Sequence, residues 1–301
     1  MSEELIAPYP PEDFDQFWQE TVSEARAIPL DYRRERSSYP VREGFEIETI
    51  AFRGAGGKPY YGWICYPSGA RRLHGFLWIP PYGRESVLPN EYGTREGYVS
   101  FSFNFHGEEP FHQEKYVPAR GYFPEGASEP KTWIFREMFI TAVVAARVFQ
   151  AQSEVDENRI GSMGISQGAG LSIWLGAWMP TIIKAVCADL PFLGGLPYLL
   201  DGQIYRYPLK ELADFMENVP LGRERLFHTL SYFDTINQAT RCQVPTLVTL
   251  GLKDPAVKPI QARSIFAALP GEKNLIEYDW GHDYYPAMVE NNADWLTRHL
   301  G

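Results

Sequence analysis

Between residues 155 and 180 the chain passes from a strand pattern to a buried helix through Gly164-Ile165-Ser166-Gln167-Gly168. Asp156-Glu157-Asn158 is a turn signal, and Arg159-Ile160-Gly161-Ser162-Met163 reads as a short strand. From Ala169 to Met179 come Leu171, Ile173, Trp174, Leu175, Ala177 and Trp178, with no proline before Pro180, as in a buried helix of about three turns. A serine between two such glycines sits in a strained backbone conformation, and a Cβ two residues to either side would strike neighbouring chain. The pattern is short, so its context decides. Strand, G-x-S-x-G and helix together describe a sharp turn with a serine at its apex.

The rest of the chain repeats the strand–helix alternation. It opens with a helix at about Pro11 to Ala27, where Phe14, Trp18, Val22 and Ala25 form one apolar stripe, ended by Pro29. Residues 45–52 alternate apolar and polar, and Gly54-Ala55-Gly56-Gly57 turns the chain into a second strand at Tyr60 to Tyr66, an antiparallel hairpin. Together the first helix and hairpin occupy about 11–66. Strands then follow at Gly75 to Ile79, Tyr98 to Phe105, the run before Ser166, Ile182 to Ala188, Pro245 to Leu250 and Asn274 to Tyr278. Helices are expected at Phe135 to Gln150, after Ser166, at Ile260 to Leu269 and at Tyr285 to Leu300, with a long Gly/Pro-rich loop over 107–131. Such βα units imply a single α/β domain over 1–301, its mainly parallel sheet covered by helices on both faces. Residues 193–241 break the rhythm with helical content at Leu209 to Met216 and Leu226 to Leu230. Ligands of such sheets lie beyond the carboxyl ends of the strands, so this helical insertion would roof the active site.

Charge and composition exclude several classes. With 38 acids against 28 bases, net charge −10, the chain suits neither nucleic acid nor an anionic membrane surface. Cys65, Cys187 and Cys242 are too few and too scattered for a disulfide framework or a metal cluster, and Cys187 reads as a core filler. No run of about eighteen apolar residues spans a membrane. Met1-Ser2-Glu3-Glu4 lacks the basic start and apolar core of a secretory signal, so a cytoplasmic protein is expected. Aromatic content of 15% fits a sugar-facing pocket or, more commonly, a well-filled core.

A serine hydroxyl becomes a nucleophile only beside a base, and the base needs a carboxylate to hold its tautomer. In α/β-hydrolases these follow in the order Ser, acid, His. His282, after the last strand and Trp280-Gly281, is the candidate base; His106, at the end of an early strand, is its rival. His74, His112 and His228 lie in loops or polar segments around the wrong elements, and His299 lies near the end of the closing helix, where a cation suits the dipole. Asp254, just beyond the strand Leu247 to Leu250, is the candidate acid, with Asp189 as runner-up. Asp279 and Asp283 flank His282 too closely to reach its ring nitrogen. Alternatively Asp254 caps the next helix, against which Pro255 and the distance to Ile260 argue. An oxyanion needs two N–H donors. Gln167, the residue after the serine, supplies one; the loop Pro80-Pro81-Tyr82-Gly83 supplies the other, and since proline has no N–H, the nearest donor there is Tyr82.

Several blocks resemble the acetyl xylan esterase/cephalosporin C deacetylase family of carbohydrate esterases. They are Pro11 to Trp18, Val155 to Gly161, Ser166-Gln167-Gly168, Thr229-Leu230-Ser231-Tyr232-Phe233-Asp234, Val244 to Asp254 and Gly281-His282, nearly end to end. The resemblance implies the α/β-hydrolase fold and a serine esterase that deacetylates small acetylated sugars such as xylo-oligosaccharides, and cephalosporin C, without metal or organic cofactor. It implies Ser166, Asp254 and His282 as triad, Tyr82 and Gln167 as oxyanion donors, Pro191 and Phe192 lining the acyl pocket, and a homohexamer with its sites on an inner chamber. Two departures stand out. Pro80-Pro81 replaces the family's His-Gly, and Ile165 and Ala169 replace glycines at positions the elbow pattern leaves free. A peptidase or longer-acyl esterase on the same fold is the alternative, and a non-catalytic relative a further one.

Overall fold

The computed structural model describes residues 4–90, 94–115, 121–202, 204 and 206–301. Among these, nine strands build one sheet: β1 (Tyr32–Arg36), β2 (Phe45–Arg53), β3 (Pro59–Pro67), β4 (Leu73–Ile79), β5 (Tyr98–Phe103), β6 (Val155–Ile165), β7 (Ile183–Asp189), β8 (Thr246–Gly251) and β9 (Lys273–Tyr278). Their order across the sheet is β1-β2-β3-β5-β4-β6-β7-β8-β9. The first three and the β3–β5 pair are antiparallel; from β5 through β4 to β9 every pair is parallel. The expected hairpin is therefore the inner part of a three-stranded antiparallel edge.

The outer strand β1, Tyr-Arg-Arg-Glu-Arg, has no apolar alternation to announce it. Its central Arg34 holds it down instead, donating to Glu48 of β2 and to Gln152 and Glu154 ahead of β6. Charged residues along such an edge also discourage pairing with other chains.

Helices cover both faces. The stripe Phe14, Trp18, Val22 and Ala25 of α1 (Phe14–Ala27) is buried as the periodicity predicts. It packs with α2 (Ile134–Gln150) and α3 (Gln167–Trp178): the Trp18 ring lies 4.8 Å from Phe139 and 5.4 Å from Trp174. Burial of a tryptophan this complete is worth roughly 3–5 kcal/mol against alanine. The aromatic surplus fills the core, with Trp18, Trp63, Trp78, Trp133 and Trp174 all fully buried. Successive strand residues point to opposite sides, so Leu77 and Ile79 meet the core under α1 to α3, whereas Phe76 and Trp78 meet the core under α9 (Pro286–Leu300). The latter also takes in Met163, Cys187, Leu247, Trp295 and Leu296.

Between β7 and β8 lies the insertion, with α4 (Leu196–Leu200), α5 (Leu209–Asn218), α6 (Gly222–Phe233) and α7 (Thr235–Ala239); α8 (Pro259–Ala268) follows β8. The short helices α4 and α7 escape periodicity because five residues hold too few turns to show it. Asp234, from the Leu-Ser-Tyr-Phe-Asp block, organises this region. Its carboxylate accepts N–H bonds from Gly195, Leu196 and Ile236, and the Tyr9 hydroxyl at 2.5 Å. Complete burial nevertheless raises its pKa to about 6, outweighing these donors.

Candidate active site

Ser166 joins β6 to α3 with φ 56° and ψ −117°, a left-handed value that costs a non-glycine residue roughly 1–3 kcal/mol. Its backbone is pinned from both sides. The Ser166 N–H donates to the Asp189 carbonyl at 2.9 Å, and the Ser166 carbonyl accepts from Phe192 N–H at 3.0 Å. The two flanking glycines are required by contact. A Cβ on Gly164 would sit 2.5 Å from the Gly168 carbonyl carbon, and one on Gly168 would sit 2.3 Å from the Ile79 carbonyl oxygen. The elbow and the end of β4 thus touch backbone to backbone.

His282, in the turn between β9 and α9, places Nε2 3.0 Å from Ser166 Oγ and Nδ1 2.7 Å from Asp254 Oδ2. A carboxylate accepts only, so Nδ1 carries the ring proton and Nε2 presents its lone pair to the hydroxyl. The Asp254 side chain is fully buried, while the imidazole is about a quarter exposed, at 23%. Asp254 caps a turn rather than a helix: Oδ1 accepts from the N–H groups of Ala256 and Val257, at 2.7 and 2.8 Å, and α8 starts only at Pro259. One oxygen fixes the carboxylate and the other faces the ring.

The rival residues are engaged elsewhere. Asp279 pairs with Lys253, and Asp283 accepts from the Tyr284 N–H. His74 meets Arg159, His112 meets Glu114, His228 lies edge-on to Tyr232 and His299 lies against Trp295. His106 packs on the Tyr122 ring at 4.4 Å, and burial pushes its pKa down to about 3, so it stays neutral. Asp189 accepts from Thr249 Oγ1 at 2.9 Å and from Asn292 Nδ2 at 2.7 Å, tying β7 to β8 and α9 instead of touching His282.

Burial raises the Asp189 pKa to about 6, against the opposing pull of its hydrogen bonds and Arg95. The folded value lies above the unfolded one of about 3.9. Its contribution to stability is therefore full below pH 4 and is lost as pH rises through 6. At about 1.4 kcal/mol per unit this amounts to about 3 kcal/mol. Wild type should lose about that much relative to Asp189→Asn between pH 4 and 7, read from urea unfolding of both proteins. A difference independent of pH would contradict the assignment.

Around the serine, Gln167 opens α3, where the first N–H groups have no partner inside the helix. The loop Pro80-Pro81-Tyr82-Gly83 follows β4, and the Tyr82 ring stacks on Tyr122 with centroids 4.6 Å apart. Pro191 and Phe192 continue from β7 past the serine backbone, and Phe192 stacks on Phe123 at 5.6 Å. Two residues here gave no sequence signal. Tyr122 lies in the long loop, and Glu211 lies on α5 among other charges; it accepts from the Tyr82 hydroxyl at 2.5 Å and from the Phe123 N–H at 3.0 Å. The insertion thereby reaches the loop after β4. Separately, Glu108, His112 and Glu114, all half-buried beyond β5, bring ligand atoms within 4.8 Å of one another and could hold a metal. Among the described residues no helix is long and apolar enough to cross a membrane.

Comparison with known proteins gives one picture. An acetyl esterase, Axe7A, of Xylanibacter ruminicola is 22% identical over 288 residues, covering 91% of this chain; the chain spans 64% of that relative's length. An acetyl xylan esterase from Paenibacillus sp. R4 superposes with a TM-score of 0.88 at 22% identity, covering 98% of this chain and 97% of the other. Acetyl xylan esterase 1 from Thermoanaerobacterium sp. JW/SL YS485 gives 0.87 at 23% identity, covering 99% and 96%. These likenesses establish the α/β-hydrolase fold. A family model for acetyl xylan esterases matches residues 6–299, and the chain belongs to that family.

Proposed function

We propose that this protein is a serine esterase that removes acetyl groups from small acetylated carbohydrates such as xylo-oligosaccharides, with the acetyl ester of cephalosporin C as a further substrate. The observation that carries the reading is the continuous chain Ser166 Oγ, His282 Nε2, His282 Nδ1, Asp254 Oδ2, with links of 3.0 and 2.7 Å. Ser166 attacks the ester carbonyl as His282 takes its proton, and Asp254 steadies the imidazolium. The N–H groups of Tyr82 and Gln167 receive the oxyanion, helped by the positive end of α3. His282 returns the proton to the departing sugar oxygen. Water, activated by the same imidazole, then hydrolyses the acetyl-enzyme. Nucleophile, base and donors all come from the chain, so the reading calls on no cofactor.

Pro191 and Phe192 border the serine and, on this reading, leave room for a two-carbon acyl group. A longer-acyl esterase or peptidase would use the same three side chains, and acyl length separates them. Acetate release from acetylated xylo-oligosaccharides is expected, with kcat/KM for p-nitrophenyl acetate at least about tenfold above that for the butyrate, since each methylene in a closed pocket is worth about 10–200-fold. Equal rates on the two esters, or no acetate from the sugar, would refute the substrate assignment. The hexamer belongs to the same reading, and a monomer in sedimentation would remove it.

A further inference from the structure

We propose that the Tyr122 hydroxyl sets the spacing between the two amides that receive the oxyanion, a positioning role that rests on the esterase reading above. This hydroxyl bridges the two sides of the site. It accepts from the Gly83 N–H at 3.1 Å and donates to Gln167 Oε1 at 2.9 Å. Gly83 directly follows Tyr82, and Gln167 directly follows Ser166. A hydroxyl both gives and takes a hydrogen bond, which is what tying an N–H to a carbonyl oxygen through one atom requires.

The sequence explains why such a tie is placed here. Pro80 and Pro81 have no N–H, so neither can fasten the loop by donating a hydrogen bond. Gly83 offers an N–H just past Tyr82, and Tyr122 takes it. Tyr122 is itself held firmly. It is 1% exposed, its ring is stacked on Tyr82, and His106 and the Arg84 guanidinium lie at 4.4 and 5.7 Å from it. Its neighbour Phe123 donates its N–H to Glu211, whose other oxygen accepts from the Tyr82 hydroxyl. Gly121 makes that approach possible, because a Cβ there would lie 1.9 Å from Glu211 Oε1.

An oxyanion hole works through donors already placed where charge will develop, so a small drift of one donor is felt in the transition state and hardly in substrate binding. Tyr122→Phe keeps the ring and removes the hydroxyl. It should lower kcat for p-nitrophenyl acetate about tenfold with KM within about twofold, and weaken methylboronic acid, which forms a tetrahedral adduct on the serine, by the same factor as kcat. Gln167→Met removes the acceptor but keeps the backbone N–H. It should also lower kcat, and the double variant should fall no further than Tyr122→Phe alone. If kcat and boronate affinity stay within about twofold of wild type, if the loss lies in KM alone, or if the two losses multiply, the positioning role is overturned. Turnover that survives Ser166→Ala would sink the esterase reading itself, and the proposal with it.

Discussion

His282→Ala is expected to lower kcat for acetate-ester hydrolysis by on the order of 10⁵–10⁶, while KM stays close to that of wild type. Among the described residues, the imidazole is the hydrogen-bond partner of the Ser166 hydroxyl. Without it the hydroxyl keeps its proton, and an un-ionised alcohol attacks an ester very slowly. His106 cannot take over, because it packs on Tyr122 and burial makes its ring a poor proton acceptor. The N–H groups proposed to receive the oxyanion would remain and sustain a residual rate about 10³–10⁴ above water. The His282 ring sits partly exposed in a turn, but its loss leaves the buried Asp254 Oδ2 without that donor, so the melting temperature should fall by a few degrees with the fold intact. Stopped kinetics on p-nitrophenyl acetate would measure the loss; a decrease of less than about a hundredfold would mean that another group serves as base.

Asp254→Asn should lower kcat by about 10⁴ with the fold intact. Asparagine retains an oxygen able to accept from Ala256 and Val257, so the turn that Oδ1 makes is preserved. The amide group then faces His282 Nδ1 in place of Oδ2. An N–H donor there favours the tautomer with its proton on Nε2, which cannot accept from the serine. Asp189→Asn is the control, because Asp189 binds Thr249 and Asn292 and should alter kcat only a few-fold. A comparable loss in both variants would remove Asp254 from its assigned place.

Much of this arrangement was legible in the chain itself. Ser166 was readable because a strained elbow forces glycine at 164 and 168, a requirement of backbone contact that leaves its mark in sequence. Asp254 and His282 were readable because βα alternation fixes which segments end at the sheet's carboxyl edge, and the rivals lie there too, Asp189 at the end of β7 and His106 just past β5. What separated them was side-chain partnership, which order along a chain does not encode. The charged strand β1 was missed since its anchoring runs through one arginine rather than an apolar alternation. Tyr122 and Glu211 were missed for a related reason. Their contacts with Gly83, Gln167 and Tyr82 span 39 to 129 residues of sequence, and neither stands in a local pattern. Asp234 stood in a recognisable block, yet its task as a shared acceptor for four donors became apparent only from the packed insertion.

The central claim is that an acetyl group passes through the oxygen of Ser166. Mixing wild-type protein with p-nitrophenyl acetate, quenching in acid during turnover and mapping the peptides by mass spectrometry reads this directly. One acetyl group should appear on the peptide containing Ser166 and be missing from the Ser166→Ala protein. Steady hydrolysis with Ser166 unmodified, in a quench fast enough to trap an intermediate, would contradict the account.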